Sequence, residues 1–501
     1  MPRPIARAFL VLVSCAALAC ARAQEPAAPP PFPTKPTLTL EDCIARALQK
    51  NFDLKIESFS TDIAREALNV ANAGFEPTFN ASFQRVSTQD PPALGGTRTD
   101  TGDTRIGISQ LIPTGAQLSV STSLDRNSGS FISNGTVVST SLFNPVYGSD
   151  VALTVTQPLL RGAGFTVNRA QIERNRLGVA IARLNFKSRV LQVVHDTEAA
   201  YYNLVFAREQ LVVKQHSLEL ADRLYEENKT RKLTGVATDL DVLSAEVGIA
   251  NARNGVVLAE QSVRNSEDAL LALIGQFEFD TEIGTVALLP FQEPSPSFDL
   301  SYKLARDNQP DYLATQTAIK QLELDATTAK NSALPTLNVG GTLGYNGADR
   351  TYGRAIDNLP NGDGRNWELD LTLSVPWGLH ADRARYRSAI ASLHQQETHL
   401  RQLEQNLLVQ VRSAVRAVET NQQSVEINTK GTEFATRQYE LELARFKAGL
   451  STSRQVLQTQ DDLETARVNE LLARVNLRIA NANLRQLESS SLERYHINLA
   501  D

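Results

Sequence analysis

The segment with the closest likeness to a catalytic metal site contains two histidines and a glutamate on one predicted helix. His394 and His399 flank Glu397. Zinc hydrolases place their two histidines about one helical turn apart, so that a single helical face presents both to the metal. Here the histidines are five residues apart, which turns the second one off that face. We therefore interpret the segment as a solvated helix face.

Other catalytic or cofactor chemistry finds little support in the chain. Gly162-Ala163-Gly164 lacks the following Gly-Lys-Ser/Thr of a nucleotide loop, and it lies between a predicted strand and a predicted helix. Only six histidines and three cysteines are present among 501 residues, and the net charge is −6. Nucleic-acid binders normally carry a basic face. The sequence therefore predicts a protein that is not an enzyme, has no cofactor or metal, and has no nucleic-acid partner.

The N-terminus carries the pattern of a secretory signal. Residues 1–23 combine a basic start, an apolar stretch and a small-x-small cleavage site. A short anchor helix is one alternative, and lipidation at Cys15 or Cys20 is another. After cleavage Cys43 would be the only cysteine, which excludes an internal disulfide. The Pro-rich leader 24–37 is expected to be extended.

An internal duplication is the strongest signal of architecture. Pro77 and Pro335 occupy the same place in two segments, 47–80 and 305–338, that align without a gap, each between a helical pattern and an alternating strand. The stretches 169–235 and 383–449 then match over 66 residues without proline. A continuous helix of that length would be about 99 Å long. Each ends at a Gly-containing turn followed by a second helical pattern, which predicts one long helical hairpin per half.

These patterns divide the mature chain into two repeats. The first spans 38–275 and the second 298–488, each with a helix, strands and the long hairpin. A Pro-containing connector, 276–297, joins them. The tail 489–501 is expected to be loose.

Besides the two Gly-bearing turns, the layout includes four distinctive segments: Leu40–Leu48 with Asn51, Val155–Leu160, Leu334–Leu337 and Ser374–Pro376. Together these features carry a resemblance to the TolC family of outer-membrane efflux proteins. It implies a mixed α and β membrane protein in the bacterial outer membrane. In that fold a homotrimer shares one transmembrane β-barrel, with about four strands from each subunit, continued by a long periplasmic coiled-coil barrel of α-helices. The unpaired sheet edges of a single chain independently require such closure in lipid.

About forty residues in the first half have no counterpart in the second half. They contain an alternating hairpin at 105–124. Either this hairpin extends the strands beyond the membrane, or it enters the barrel and widens it. Because the second half has no matching pair, we expect the extension.

The resemblance assigns roles to the two turns and to the helix that follows the second. The turns would contact a periplasmic adaptor protein through Gly235, Val236, Thr238, Gly449, Leu450, Ser451 and Thr452. Ordinary helix capping explains the Gly and Thr residues equally well. The tunnel would close at a periplasmic gate formed by Gln455 and Gln458, at positions where family members often have acidic residues, with Asp461 one turn further on. A simple polar coiled-coil face is the alternative.

The expected function is a passive exit duct for a tripartite efflux pump or a type I secretion system. An inner-membrane transporter, coupled through the adaptor, would supply the energy. The alternative is a soluble periplasmic coiled-coil adaptor or scaffold, which shares the helical hairpin but has no need of two alternating strand pairs.

Overall fold

A computed structural model describes residues 38–91, 97–133, 136–139, 145–275, 296–360 and 364–499. The predicted signal (1–23), including Cys15 and Cys20, lies outside these residues. The same is true of the leader 24–37 and of all but the last two residues of the connector 276–297.

Each half of the chain begins with two helices, continues with strands and then forms a long helical hairpin. The first half contains α1 (Leu40–Lys50), α2 (Phe52–Ala73), β1 (Thr78–Gln89), β2 (Arg98–Leu111), β3 (Gln117–Ser133), β4 (Thr136–Ser139), β5 (Val146–Pro158), α3 (Phe165–Asn168), α4 (Ala170–Leu233) and α5 (Asp239–Leu273). The second half contains α6 (Phe298–Asn308), α7 (Pro310–Ser332), β6 (Thr336–Asp349), α8 (Tyr352–Asp357), β7 (Arg365–Ser374), α9 (His380–Lys447), α10 (Ser453–Glu488) and α11 (Ser491–Arg494).

The short helices begin at the caps that their sequences supply. Thr39 and Asp42 form a reciprocal capping box at the start of α1. Asn51 accepts hydrogen bonds from the first backbone N–H groups of α2, and in the second half Pro310 occupies the first turn of α7. Proline suits that position, because a helix leaves its first N–H groups without partners. The duplicated sequence thus starts equivalent helices by two different means.

The long helices are continuous, as the sequence predicts. Helix α4 has 64 residues and α9 has 68, which correspond to about 96 Å and 102 Å at the standard rise per residue. Each turns back through a short tip into α5 or α10, giving one helical hairpin in each half. None of the helices in the described ranges is both long enough and apolar enough to cross a membrane.

The helices stand side by side in a definite order. Near the sheet, α4 packs between α2 and α7, and α7 packs against α9. Toward the tips, α4 packs between α5 and α10, and α10 packs against α9. One side of the molecule is therefore formed by α2 and α5, and the other side by α9.

The strands form one antiparallel sheet in the order β1-β2-β3-β5-β6-β7, with short β4 paired to β3. Six long strands are present where about four were expected. The hairpin 105–124 forms parts of β2 and β3, which lie between β1 and β5 and pair with both. The sequence shows the alternation of apolar and polar residues in the hairpin. Which strands lie beside the hairpin depends on long-range contacts that no local pattern encodes.

The two faces of the sheet differ sharply in polarity. Cross-strand partners lie on the same face of a sheet. One row across the sheet contains Phe79, Ile108, Val120, Leu153, Leu343 and Trp367, all exposed. The adjacent row on the opposite face contains Thr78, Ser109, Ser119, Thr154, Thr342 and Glu368. The apolar face is thus continuous over six strands.

The main hydrophobic core lies where α1, α4 and the end of α5 meet the C-terminal residues. The expectation of a loose tail is wrong for 489–499. Helix α11 forms, and Tyr495 and Ile497 pack against this core. The Tyr495 hydroxyl donates a hydrogen bond to Glu198, a fully buried residue of α4 that also pairs with Arg485 of α10 at 2.9 Å. These long-range polar contacts hold the tail in place.

Candidate functional sites at the helical tips and on helix α10

The first tip is closed by backbone capping. Gly235 has φ of +77°, a conformation that costs glycine little. Its N–H donates to Lys232 O at 3.0 Å, and the Val236 N–H donates to Arg231 O at 2.9 Å. This pair of bonds is a Schellman motif. Thr238 then starts α5 with a capping box.

The second tip repeats the same geometry. Gly449 also has φ of +77°, its N–H donates to Phe446 O at 2.9 Å, and the Leu450 N–H donates to Arg445 O at 2.8 Å. Thr452 is the N-cap of α10. Capping therefore accounts for the glycine and threonine at both tips.

Capping does not account for the apolar residues at the tips. Val236 is 69% exposed and Leu450 is 71% exposed. The sequence interpretation missed two further residues, Leu233 and Leu240, which are 85% and 70% exposed beside them. Both could have been recognised in the sequence as apolar residues on either side of the turn. The tips thus present apolar side chains that nothing in the described chain covers.

The remaining tip residue predicted from sequence, Ser451, has an internal role. Its hydroxyl donates a hydrogen bond to Glu442 of α9. Glu442 is largely buried and also pairs with Arg445 at 3.2 Å. Ser451 therefore contributes to holding the second tip closed.

The end of α4 is joined to the second tip. The Arg231 guanidinium lies over the Phe446 ring, 4.3 Å from its centre, and Nη1 donates to Phe446 O at 3.0 Å. Nearby, Asn228 Nδ2 donates to Ser453 Oγ at 2.7 Å, and both residues are almost fully buried. The two tips of one chain are thus one connected unit.

Further along, α10 is held against α4 by two polar contacts that we call the α4–α10 lock. Gln460, only 4% exposed, donates from Nε2 to Ser217 O at 2.8 Å. Lys214 forms an ion pair with Glu464, with side-chain exposures of 28% and 19%. Sequence reasoning missed both contacts, because each joins residues more than 240 positions apart.

The three predicted gate residues lie on α10 around this lock. Gln455 and Gln458 are exposed, and Gln458 Nε2 donates to Asp462 Oδ1 at 3.2 Å. Asp461 borders a cavity of about 350 Å³ between α4, α5 and α10. Burial raises the pKa of Asp461, and the neighbouring Glu464 and Asp462 carboxylates raise it further, while Lys214 partly offsets them. An acidic cluster with one lysine therefore lies where α10 meets α4.

The candidate sites for metal or nucleotide chemistry have ordinary structural explanations. His394 Nδ1 lies 3.2 Å from Glu397 Oε2 on an exposed helix face. Among the described residues, no three His, Cys, Asp or Glu side chains converge in a metal-binding group. Gly162 and Gly164 form the turn between β5 and α3, where the Gly162 N–H donates to Asn331 Oδ1 at 2.7 Å. This confirms the predicted strand-to-helix turn.

Comparison with known proteins gives a consistent result. The sequence profile described as outer membrane efflux protein matches residues 43–276 and 301–488. Outer membrane protein OprJ of Pseudomonas aeruginosa is 24% identical over 198 residues, which are 39% of this chain and 38% of that protein. The match thus spans little more than a third of that relative's length.

Two solved structures share the fold over nearly the whole chain. The structure of CusC has a TM-score of 0.68 at 14% identity, covering 93% of this chain and 98% of that one. The Campylobacter jejuni CmeC outer membrane channel has a TM-score of 0.67 at 16% identity, covering 92% and 90%. At such identities the likeness establishes the fold, and function has to be argued from the sites.

Proposed function

The chain belongs to the outer membrane efflux protein family, and on that premise we propose that three copies of it form a passive exit duct in the bacterial outer membrane. Its outer-membrane location follows from the family and its relatives. The duct would serve a tripartite efflux pump or a type I secretion system.

The observation that carries this proposal is the position of the unpaired edges. On one side of the molecule lie β1, α2 and α5, and on the other lie β7 and α9. An unpaired strand edge in lipid leaves backbone N–H and C=O groups without partners at a cost of several kcal/mol each. Pairing β7 of one copy with β1 of the next removes every such edge when the ring closes. The same head-to-tail step brings α9 against α2 and α5 of the neighbour.

The helical edges carry apolar seams suited to this contact. On α2 the exposed apolar residues recur at alternating steps of four and three: Phe52, Ile56, Phe59 and Ile63. On α5 the spacing is similar, with Leu240, Leu243 and Val247. On α9 they recur every seven residues at Ile427, Phe434 and Leu441. Such heptad spacing is typical of coiled-coil seams.

The sheet argues against the alternative of a soluble periplasmic adaptor or scaffold. Its apolar face extends over all six long strands. On the two edge strands it includes the large exposed side chains of Phe79 and Trp367. Soluble monomers rarely leave an apolar surface of that extent in water. Outer-membrane barrels, in contrast, need an apolar outer band and a polar interior.

The tips fit the role of the periplasmic end. Exposed Val236 and Leu450 are available to pack against the helical tip of an adaptor. That adaptor would link the duct to an inner-membrane transporter, which supplies the energy. In the resting trimer, three copies of Gln455 and Gln458 on α10 would line the constriction, with the α4–α10 lock holding it narrow.

Single-channel recording tests the proposal. We expect the detergent-purified protein to have the mass of a trimer and to give small, flickering conductance in a planar bilayer. Changing Gln455 and Gln458 together to alanine should raise that conductance, since the smaller side chains widen the constriction. A water-soluble monomer that never inserts into the bilayer would contradict the proposal.

A further inference from the structure

The hairpin of β2 and β3 is built into the sheet over its full length. Pairing of β1 with β2 runs without a break from Thr78–Ser109 to Gln89–Arg98. Pairing of β2 with β3 begins at the turn, with Leu111–Gln117. Strand β3 then pairs directly with β5. The hairpin therefore separates β1 from β5 by two strands, in addition to the four per subunit that the family resemblance implies.

The apolar face continues across the inserted hairpin without interruption. Ile108 of β2 and Val120 of β3 lie in the same row as Phe79 of β1 and Leu153 of β5, and all four are exposed. A hairpin projecting into water outside the membrane would have no reason to align its apolar side chains with this band. The alignment indicates the same environment for all four strands.

The turn of the hairpin, between β2 and β3, is fixed in position by contacts with the turn between β5 and α3. The Gly164 N–H, at the entrance to α3, donates to Thr114 O at 3.0 Å. Gly115 has φ of +94° and lies so close to the strand-to-helix turn that a Cβ there would be 2.4 Å from Gly162 O. The inner end of the hairpin is thus anchored at the level where β5 leaves the sheet.

From this register, apolar alignment and anchoring we infer that the hairpin spans the membrane and that the trimer closes an eighteen-stranded barrel, six strands from each of three copies. The inference rests on the proposed trimeric channel and sets the width of its exit. Strands about 4.8 Å apart and tilted by about 40° give a backbone radius of about 18 Å for eighteen strands and about 12 Å for twelve.

The interior of this barrel would be polar and acidic. The face opposite the apolar band carries five acidic side chains and one arginine: Asp103, Asp125, Asp150, Glu368, Asp370 and Arg105. Two of the acids, Asp103 and Asp125, come from the inserted hairpin. A wide exit lined in this way suits bulky, hydrated solutes that are neutral or cationic, and it leaves size selection to the helical end.

Single-cysteine labelling tests the inference directly. Cys43, the one cysteine among the described residues, is free and buried. Ile108→Cys and Val120→Cys probe the hairpin. Leu153→Cys, in the same row on β5, is the matched lipid-facing control, and Ser121→Cys is the control for the opposite face. The probe is a charged, membrane-impermeant maleimide applied to the full-length trimer in lipid vesicles.

We expect Ile108→Cys and Val120→Cys to resist labelling as Leu153→Cys does, while Ser121→Cys is labelled through the water-filled interior. Projection images of the trimer should show a barrel about 36 Å across its backbone. Rapid labelling at Ile108 and Val120 with Leu153 protected would overturn the inference and leave a twelve-stranded channel. Rapid labelling at Leu153 as well would overturn the membrane channel itself.

Discussion

Neutralising Lys214 should open the proposed duct by releasing α10 from α4. In the Lys214→Gln variant the ion pair with Glu464 is lost, and so is the positive charge that offsets the neighbouring Asp461 carboxylate. Exposed ion pairs contribute about 0–1 kcal/mol, whereas removing one partner of a buried pair costs about 3–5 kcal/mol. The pair is 28% and 19% exposed, so we expect about 1–2 kcal/mol per subunit.

The trimer multiplies this effect if its three α10 helices move together. A total of about 3 kcal/mol, at the lower end, raises the ratio of open to closed channels roughly a hundredfold, since about 1.4 kcal/mol corresponds to a factor of ten. Open probability in single-channel recordings measures that ratio. Glu464→Gln should have a smaller effect, because Lys214 then still faces Asp461. The charge-swapped pair Lys214→Glu with Glu464→Lys should restore closure.

Two results would refute this reasoning. One is a Lys214→Gln trimer of normal mass with the open probability of the unaltered protein, which would mean that the ion pair does not hold α10. The other is an equal opening in the charge-swapped protein, which would assign the effect to local damage to packing rather than to the loss of attraction.

Three further predictions concern the tips, the acidic cluster and the buried ion pair. Val236→Asp and Leu450→Asp should abolish cross-linking of the tips to an adaptor without changing trimer mass or conductance; unchanged cross-linking would show that these side chains serve only the fold. Because the folded state raises the pKa of Asp461, that residue binds its proton more tightly when folded. Lowering the pH from the raised value toward 3.8 should therefore raise the midpoint of thermal unfolding. Asp461→Asn should remove that part of the pH dependence, and an unchanged profile would locate the titration elsewhere. Finally, Arg485→Met should lower the free energy of unfolding by about 3–5 kcal/mol in denaturant titrations, because it removes the ion-pair partner of the buried Glu198 side chain. Adding Glu198→Leu should recover much of the loss, and an additive loss in the double variant would contradict this reasoning.

Much of the helical architecture could be predicted because its signals are local. Pro77 and Pro335 end helices and precede strands in both halves, as steric conflict before proline requires. Gly235 and Gly449 stand at the same offset from the start of two long proline-free stretches, and both adopt the left-handed conformation that ends a helix. Duplication made each of these signals visible twice.

What the sequence did not predict depends on contacts between residues distant in sequence. The loose-tail expectation missed the hydrogen bond from Tyr495 to Glu198, which are 297 positions apart. The hairpin 105–124 was recognisable as two strands, but its neighbours in the sheet were not. The α4–α10 lock was invisible because Gln460 and Lys214 are unremarkable polar residues on their own helices.

Periodicity, proline and glycine thus determine in the sequence alone that this chain makes two equal helical hairpins joined to strands, since each of these signals acts within a few residues of the backbone. Only the tertiary structure decides which strands become neighbours, which polar side chains become buried partners and which edges remain unpaired. Those outcomes depend on side chains that come into contact only after folding. Burial makes these contacts important for stability, because a buried polar group without a partner costs free energy.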